Sequence, residues 1–142
     1  GLLSPMLETN RGCPFSCTFC HEGSSVMNKV NYFPLDRVVA ELDYVAERVP
    51  KNVSNLMFTD PNFAMYERDF EICEHIARLQ SKIRWPRSIF ASTGKNKKDR
   101  IAKATGMLNG SLKMWLSVQS MDDAVLKSIK RQNIKLDTRH SE

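Results

Sequence analysis

Short apolar runs alternate with longer amphipathic stretches along this chain. From Leu35 the apolar residues Val38, Val39, Leu42, Val45, Ala46 and Val49 recur at steps of three and four, which makes one stripe on a helix. Pro34 suits the first helical position, where its missing N–H has no partner to lose, and Pro50 stops the stretch. A second helical pattern spans Tyr66 to Gln80, with Phe70, Cys73, Ile76 and Ala77 on one side. A third, weaker one spans Asp99 to Leu108, with Ile101, Ala104 and Leu108 inward and Gly106 opposing helix formation. Ser120 and Asp123 stand at capping-box spacing, which predicts a fourth helix from about Asp122 to Lys130.

The segments between these helices read as strands. They are Met6–Thr9, "VSNLMFTD" (Val53 to Asp60), "RSIFAS" (Arg87 to Ser92) and "LKMWLSVQS" (Leu112 to Ser120). The alternation predicts an α/β fold, a parallel sheet of four β/α units with helices outside. Residues 1–142 then form one domain, with no internal repeat and no low-complexity tract. Ligands in such folds bind at the C-terminal ends of the strands. The loop after Thr9, Asp60–Asn62, Ser92–Asn96 and Gln119–Ser120 all follow strands and are expected around one site. A four-stranded parallel sheet leaves an edge bare, and the tail "RQNIKLDTRHSE" has no stop signal. The chain is therefore expected to be the N-terminal portion of a longer enzyme.

Composition changes this picture little. Apolar residues make up 42% and charged residues 26% of the 142, ordinary for a globular domain. No apolar run approaches the ~20 residues of a membrane span, and nothing at the N-terminus reads as a signal peptide. A cytoplasmic protein with reduced thiols is expected, with no membrane partner. The net charge is +5, and the densest basic run is "KNKKDR", Lys95 to Arg100. It reads as a solvated loop leading into a helix. No aromatic residues interleave with it to stack on bases, so a nucleic-acid partner is not favoured.

The candidate chemistry lies in "RGCPFSCTFCHEG", Arg11 to Gly23, where Cys13, Cys17 and Cys20 are spaced C-x3-C-x2-C. A structural zinc site needs four ligands, and His21, directly after Cys20, is badly placed to share its ion. A disulfide would leave one thiol over. Iron–sulfur clusters take thiolates at such short spacings, and a cubane has four irons. Three thiolates leave one iron open, which implies a bound substrate or cofactor by the logic that separates catalytic from structural zinc. Two readings stand at this point: an enzyme that uses the open iron, and an electron-transfer or structural cluster module. An electron carrier is expected to supply all four ligands, so three favour the enzyme. Cys73, on the apolar face of the second helix, reads as a packing residue. His21 reads as solvated, and His75 and His140 carry no motif.

The loop resembles the signature of the radical S-adenosylmethionine (SAM) enzymes. The resemblance implies a partial parallel (β/α) barrel, about four β/α units of a six-unit core, and a [4Fe–4S] cluster on Cys13, Cys17 and Cys20, with SAM chelating the fourth iron. Reductive cleavage of SAM would then give a 5′-deoxyadenosyl radical that abstracts hydrogen from a small-molecule substrate. It also implies a one-electron reductant of the flavodoxin or ferredoxin type. Phe19, just before the last cysteine, resembles the family's adenine-contacting aromatic. "SVQS" (Ser117 to Ser120) resembles its third motif, which makes Ser117 and Gln119 candidates for the ribose or the methionine carboxylate. By the two-residue period of a strand, both would face the barrel interior. "MDDAVLKSIKRQN" is similar to the family's fourth helix. Many members carry Gly-Gly-Glu after the second strand; this chain has "FTDPNF", Phe58 to Phe63. That resembles the subgroup with an N-terminal cobalamin-binding domain, and implies that Asp60 and Asn62 take over part of the SAM amino-group contact. Asp60 reads equally well as the cap of the turn before the second helix. Cobalamin is then expected through a domain outside this chain. A tRNA methylthiotransferase shares the cysteine loop, but needs a second cluster domain and an RNA-binding domain that this sequence does not contain.

Overall fold

The computed structural model describes residues 4–94, 96–113 and 117–133. In chain order the elements are β1 (Met6–Leu7), β2 (Asn10–Arg11), β3 (Asn31–Tyr32), α1 (Leu35–Arg48), β4 (Asn55–Phe58), α2 (Asp69–Ile83), β5 (Ser88–Phe90), α3 (Lys98–Met107), β6 (Leu112–Lys113) and α4 (Asp123–Ser128). The strands β1, β4, β5 and β6 form one parallel sheet in that order. Leu7 stands opposite Phe58, Leu56 opposite Ile89, and Ile89 opposite Leu112. All five are buried. They share one core with Val38 and Leu42 of α1, Ile72 and Ile76 of α2, and Ile101 and Ala104 of α3. The helical stripes read from the sequence are thus the faces that cover the sheet, and α1, α2 and α3 pack in succession. The alternate residues Met6, Met57 and Phe90 are exposed and paired in one row across the opposite face.

Packing assigns the residues that carried no motif. Cys73 is fully buried, and burial pushes its thiol up to about 12. His75 Nε2 lies 2.7 Å from Asp43 Oδ1 and ties α2 to α1. Within the basic run, Arg100 turns inward: its Nη1 donates to the Met65 carbonyl at 2.8 Å and its Nη2 meets Glu67 at 2.7 Å. Lys95 lies outside the described residues. Among the described residues no helix is long and apolar enough to cross a membrane.

The structure differs from the sequence reading at four places. The antiparallel pair β2–β3 was not expected; it joins Asn10 to Tyr32 and Arg11 to Asn31 and closes the neck of the cysteine loop. Two-residue strands with mixed burial leave no readable alternation. Helix α2 begins at Asp69 rather than Tyr66, because Asp69 Oδ2 accepts from the Tyr66 N–H at 3.1 Å and holds the preceding residues in a tight turn. Helix α4 is capped by Asp122 rather than Ser120: Asp122 Oδ1 accepts from the N–H groups of Ala124 and Val125 at 2.8 and 3.0 Å. Ser120 Oγ instead accepts from the Asp122 N–H at 3.1 Å. Of the expected strand Leu112–Ser120, the described residues form a strand at Leu112–Lys113. Residues 114–116 lie outside the described ones, and Ser117–Ser120 is irregular. Its carbonyls go to side chains instead of a ladder: Arg131 Nη2 donates to Ser117 O at 2.9 Å and Asn133 Nδ2 to Ser120 O at 2.7 Å. The alternation argument that set Ser117 and Gln119 on one strand face therefore fails.

Asp69 carries a cost of its position. It is fully buried, its Oδ1 has no partner among the described residues, and burial raises its pKa to about 7. The folded pKa lies above the unfolded 3.8, so the folded state holds the proton more tightly. Stability is then greatest at acidic pH and falls as pH rises through that window, with the full cost above pH ~7. Asp69→Asn keeps an acceptor for Tyr66 without the charge. Denaturant unfolding at pH 8 is expected to show a gain on the order of 2 kcal/mol that shrinks toward pH ~4.5. An equal change at both pH values would contradict this.

Candidate active site

The cysteine loop is a folded object. Gly12 has φ +95°, and a Cβ there would fall 2.3 Å from the Lys29 carbonyl oxygen, so only glycine passes under that turn. Cys13 N–H donates to Met27 O at 3.0 Å, and Cys20 N–H to Cys17 O at 3.2 Å. A single 3-10 turn, His21–Gly23, follows Cys20. Gly23 closes over the loop so tightly that a Cβ would lie 2.2 Å from Cys17 O. Cys13 and Cys17 are buried and Cys20 is half-buried.

The loops after the strands converge as the topology requires. A cavity of about 270 Å³ is bordered by Cys13 and Cys20, by Pro61 after β4, by Ser92 and Thr93 after β5, and by Ser117 after β6. Behind it, Asp60 is buried and does not cap the turn before α2. Its Oδ1 accepts from the Thr9 N–H at 2.7 Å, and its Oδ2 accepts from Thr9 Oγ1 and, at 3.0 Å, from Asn10 Nδ2. Burial raises the Asp60 pKa, and the bonds from Thr9 and Asn10 oppose that rise. Asn62, also buried, donates from Nδ2 to Cys13 Sγ at 3.2 Å. The next residue, Phe63, donates its N–H to Ser92 O at 2.8 Å and stacks on Phe58 with ring centroids 4.3 Å apart. The β4 loop is thus pinned on both sides of Asn62.

Of the residues singled out from the sequence, the structure brings Cys13, Cys20 and Ser117 to the cavity, sets Asn62 behind Cys13, and buries Cys17 within the same loop. Asp60 is one shell further back, fully engaged. Phe19 is half exposed (53%) rather than packed under the loop, and Gln119 is exposed; neither borders the cavity. Two features escaped the sequence reading. Thr9 and Asn10, which hold Asp60, carry no motif. The segment after α4 clasps three loops: Ile129 O accepts from Thr18 N–H at 3.1 Å, Gln132 Oε1 from Asn96 Nδ2 at 3.1 Å, and Arg131 grips Ser117. Arg131 is buried, its Nε has no partner, and no carboxylate forms an ion pair with it among the described residues.

The sequence matches the Radical SAM superfamily over residues 7–138. The chain belongs to the radical SAM superfamily. It is 37% identical over 133 residues to the cobalamin-dependent radical SAM methyltransferase TokK of Streptomyces tokunonensis, covering 92% of this chain and 19% of TokK. It is 35% identical over 133 residues to the 2-(S-pantetheinyl)-carbapenam-3-carboxylate methyltransferase of Streptantibioticus cattleyicolor, again covering 92% of this chain and 19% of the relative. Bacteriochlorophyllide d C-12(1)-methyltransferase of Chlorobaculum tepidum is 29% identical over 135 residues, 94% of this chain and 28% of that protein. The fold is similar to the radical SAM methyltransferase TsrM of Kitasatospora setae, solved with tryptophan and a SAM analogue, at a TM-score of 0.68 and 14% identity over 90% of this chain and 24% of TsrM. The chain therefore spans about a fifth of the first two relatives' length.

The radical SAM cofactors are a [4Fe–4S] cluster and SAM, and the donor set fits the cluster. Among the described residues no three Cys, His, Asp or Glu side chains converge as they would on a single ion. A cubane is held by thiolates on different irons, which stand further apart than the ligands of one tetrahedral zinc. Gly23 gives the direct test of this radical SAM loop. Gly23→Ala is expected to lose most of its iron after anaerobic reconstitution while far-UV circular dichroism is unchanged. Gly106→Ala, where a Cβ meets nothing within 4 Å, should retain its iron. Equal iron in both variants would contradict the close-packed loop.

Proposed function

We propose that the chain is the cluster- and SAM-binding part of a cobalamin-dependent radical SAM methyltransferase acting on a small molecule. The observation that carries this reading is the 37% identity to TokK across 92% of the chain, which includes the cysteine loop. The Asp60-Pro61-Asn62-Phe63 sequence supports it. When bound, the cluster and SAM would supply the one-electron radical chemistry that activates the substrate carbon for methylation, with the electron drawn from a flavodoxin- or ferredoxin-type donor.

The residues of this chain bind and orient. Cys13, Cys17 and Cys20 hold the cluster. The SAM amino group would meet the backbone of the β4 loop, where Pro61 borders the cavity and, lacking an N–H, offers only a carbonyl acceptor. Asp60 and Asn62 act from behind, since their side chains are buried and engaged with Thr9, Asn10 and Cys13. Ser117 lies at the wall. Phe19 and Gln119 are exposed and do not border the cavity, so the family resemblance alone supports the adenine for Phe19 and the ribose or methionine carboxylate for Gln119. Arg131 is a buried cation bonded to a neutral carbonyl, and such a charge calls for an anion. It touches the wall residue Ser117, and the SAM carboxylate is the anion it suits.

Full-length protein with cobalamin, given methyl-labelled SAM and a reductant, is expected to release 5′-deoxyadenosine and S-adenosylhomocysteine together. 5′-Deoxyadenosine alone would leave hydrogen abstraction and remove methyl transfer; neither product would remove the proposal. Arg131→Met is expected to weaken SAM binding about tenfold, the worth of one charge-assisted bond, with iron content unchanged. Equal SAM affinity would exclude Arg131 from the site.

A further inference from the structure

We infer that Asn62 is a redox-tuning residue: its amide donates a hydrogen bond to the sulfur of Cys13 and makes the cluster easier to reduce. The inference rests on the cluster reading above and goes beyond ligand assignment.

The contact is specific. Asn62 Nδ2 lies 3.2 Å from Cys13 Sγ, and both residues are buried. A thiolate can only accept, so the amide must turn its N–H2 toward the sulfur; the reverse orientation would set the amide oxygen against a negative charge. That orientation leaves Asn62 Oδ1 buried with no partner among the described residues. A buried unpartnered carbonyl costs about 1–3 kcal/mol, a cost that Leu of similar size would not carry. Folding alone therefore does not account for asparagine here. The amide is also held in advance: Asp60 ties the loop to Thr9 and Asn10 on one side, and Phe63 stacks on Phe58 on the other. Among the described residues no side-chain donor is seen at the sulfur of Cys17 or Cys20. The donor is thus placed on one corner of the cluster.

The chemistry is a single electron transfer. The external one-electron reductant loses an electron, the cluster gains it, and no bond forms or breaks in that step. The gained charge spreads onto the thiolate sulfurs. An N–H aimed at one of them stabilises the reduced state more than the oxidised state and raises the potential. Burial strengthens the effect because water does not screen it.

Three proteins test this after anaerobic reconstitution: the unmodified chain, Asn62→Leu, which removes the donor at similar volume, and Phe63→Leu, which loosens the same loop but keeps the donor. The readouts are iron and sulfide content and the midpoint potential from an EPR-monitored titration with dithionite. Asn62→Leu is expected to hold a full cluster at a more negative potential, and Phe63→Leu to stay near the unmodified chain. An unchanged potential in Asn62→Leu, or equal shifts in both variants, would overturn the inference. If Asn62→Leu holds no cluster, Asn62→Ala is titrated instead; a second empty variant would also overturn it, because the bond would then serve assembly. An unmodified chain without a cluster would remove the cluster reading and this inference together. An unmodified chain with a cluster whose potential Asn62 does not affect would remove only the inference.

Discussion

One buried carboxylate holds the site together. Asp60 accepts from the backbone and hydroxyl of Thr9 and from the amide of Asn10. These two residues lie where β1 ends and the cysteine loop begins; Asp60 lies where β4 ends. The sheet sets β1 beside β4, and Asp60 converts that neighbourhood into a fixed distance between two loops. Asn62 then reaches Cys13, and Pro61 reaches the cavity wall. A carboxylate buried this deeply raises its own pKa, and it stays useful because its acceptor positions meet donors supplied by the neighbouring strand.

A second clasp works from the other side. The turn after α4 gives a carbonyl to Thr18 in the cysteine loop, and Arg131 takes the carbonyl of Ser117. The cysteine loop is thus held by β4 from below and by the end of α4 from the far edge. Glycines at positions 12 and 23 allow the chain to fold back on itself between these anchors. The cysteines are positioned by backbone contacts at both ends of the loop, so a metal centre bound there would meet ligands already gathered on one edge of the sheet.

The fold was legible where burial leaves a period. Val38, Leu42, Cys73, Ile76, Ile101 and Ala104 are inward positions of the helical stripes and are core residues. The strands were legible as apolar runs, but β1, β4 and β5 are two to four residues long, shorter than the runs that announced them. Of the residues the sequence singles out for the site, Cys13, Cys20 and Ser117 border one cavity. Asp60 and Asn62 were found as residues but with other contacts, because a sequence position does not say which way a loop side chain turns. Arg131 stood in a tail with no pattern, and its burial depends on a contact with a segment fourteen residues earlier.

The account stands on a cluster held by three protein thiolates, with its fourth iron left for SAM. The most direct measurement is ENDOR spectroscopy of the reduced, reconstituted protein with SAM carrying 15N in its amino group and 17O in its carboxylate. The account requires resolved couplings from both labels to the cluster. A reduced cluster with four protein ligands and no coupling to either label, or reconstituted protein that holds only a mononuclear zinc, would contradict it.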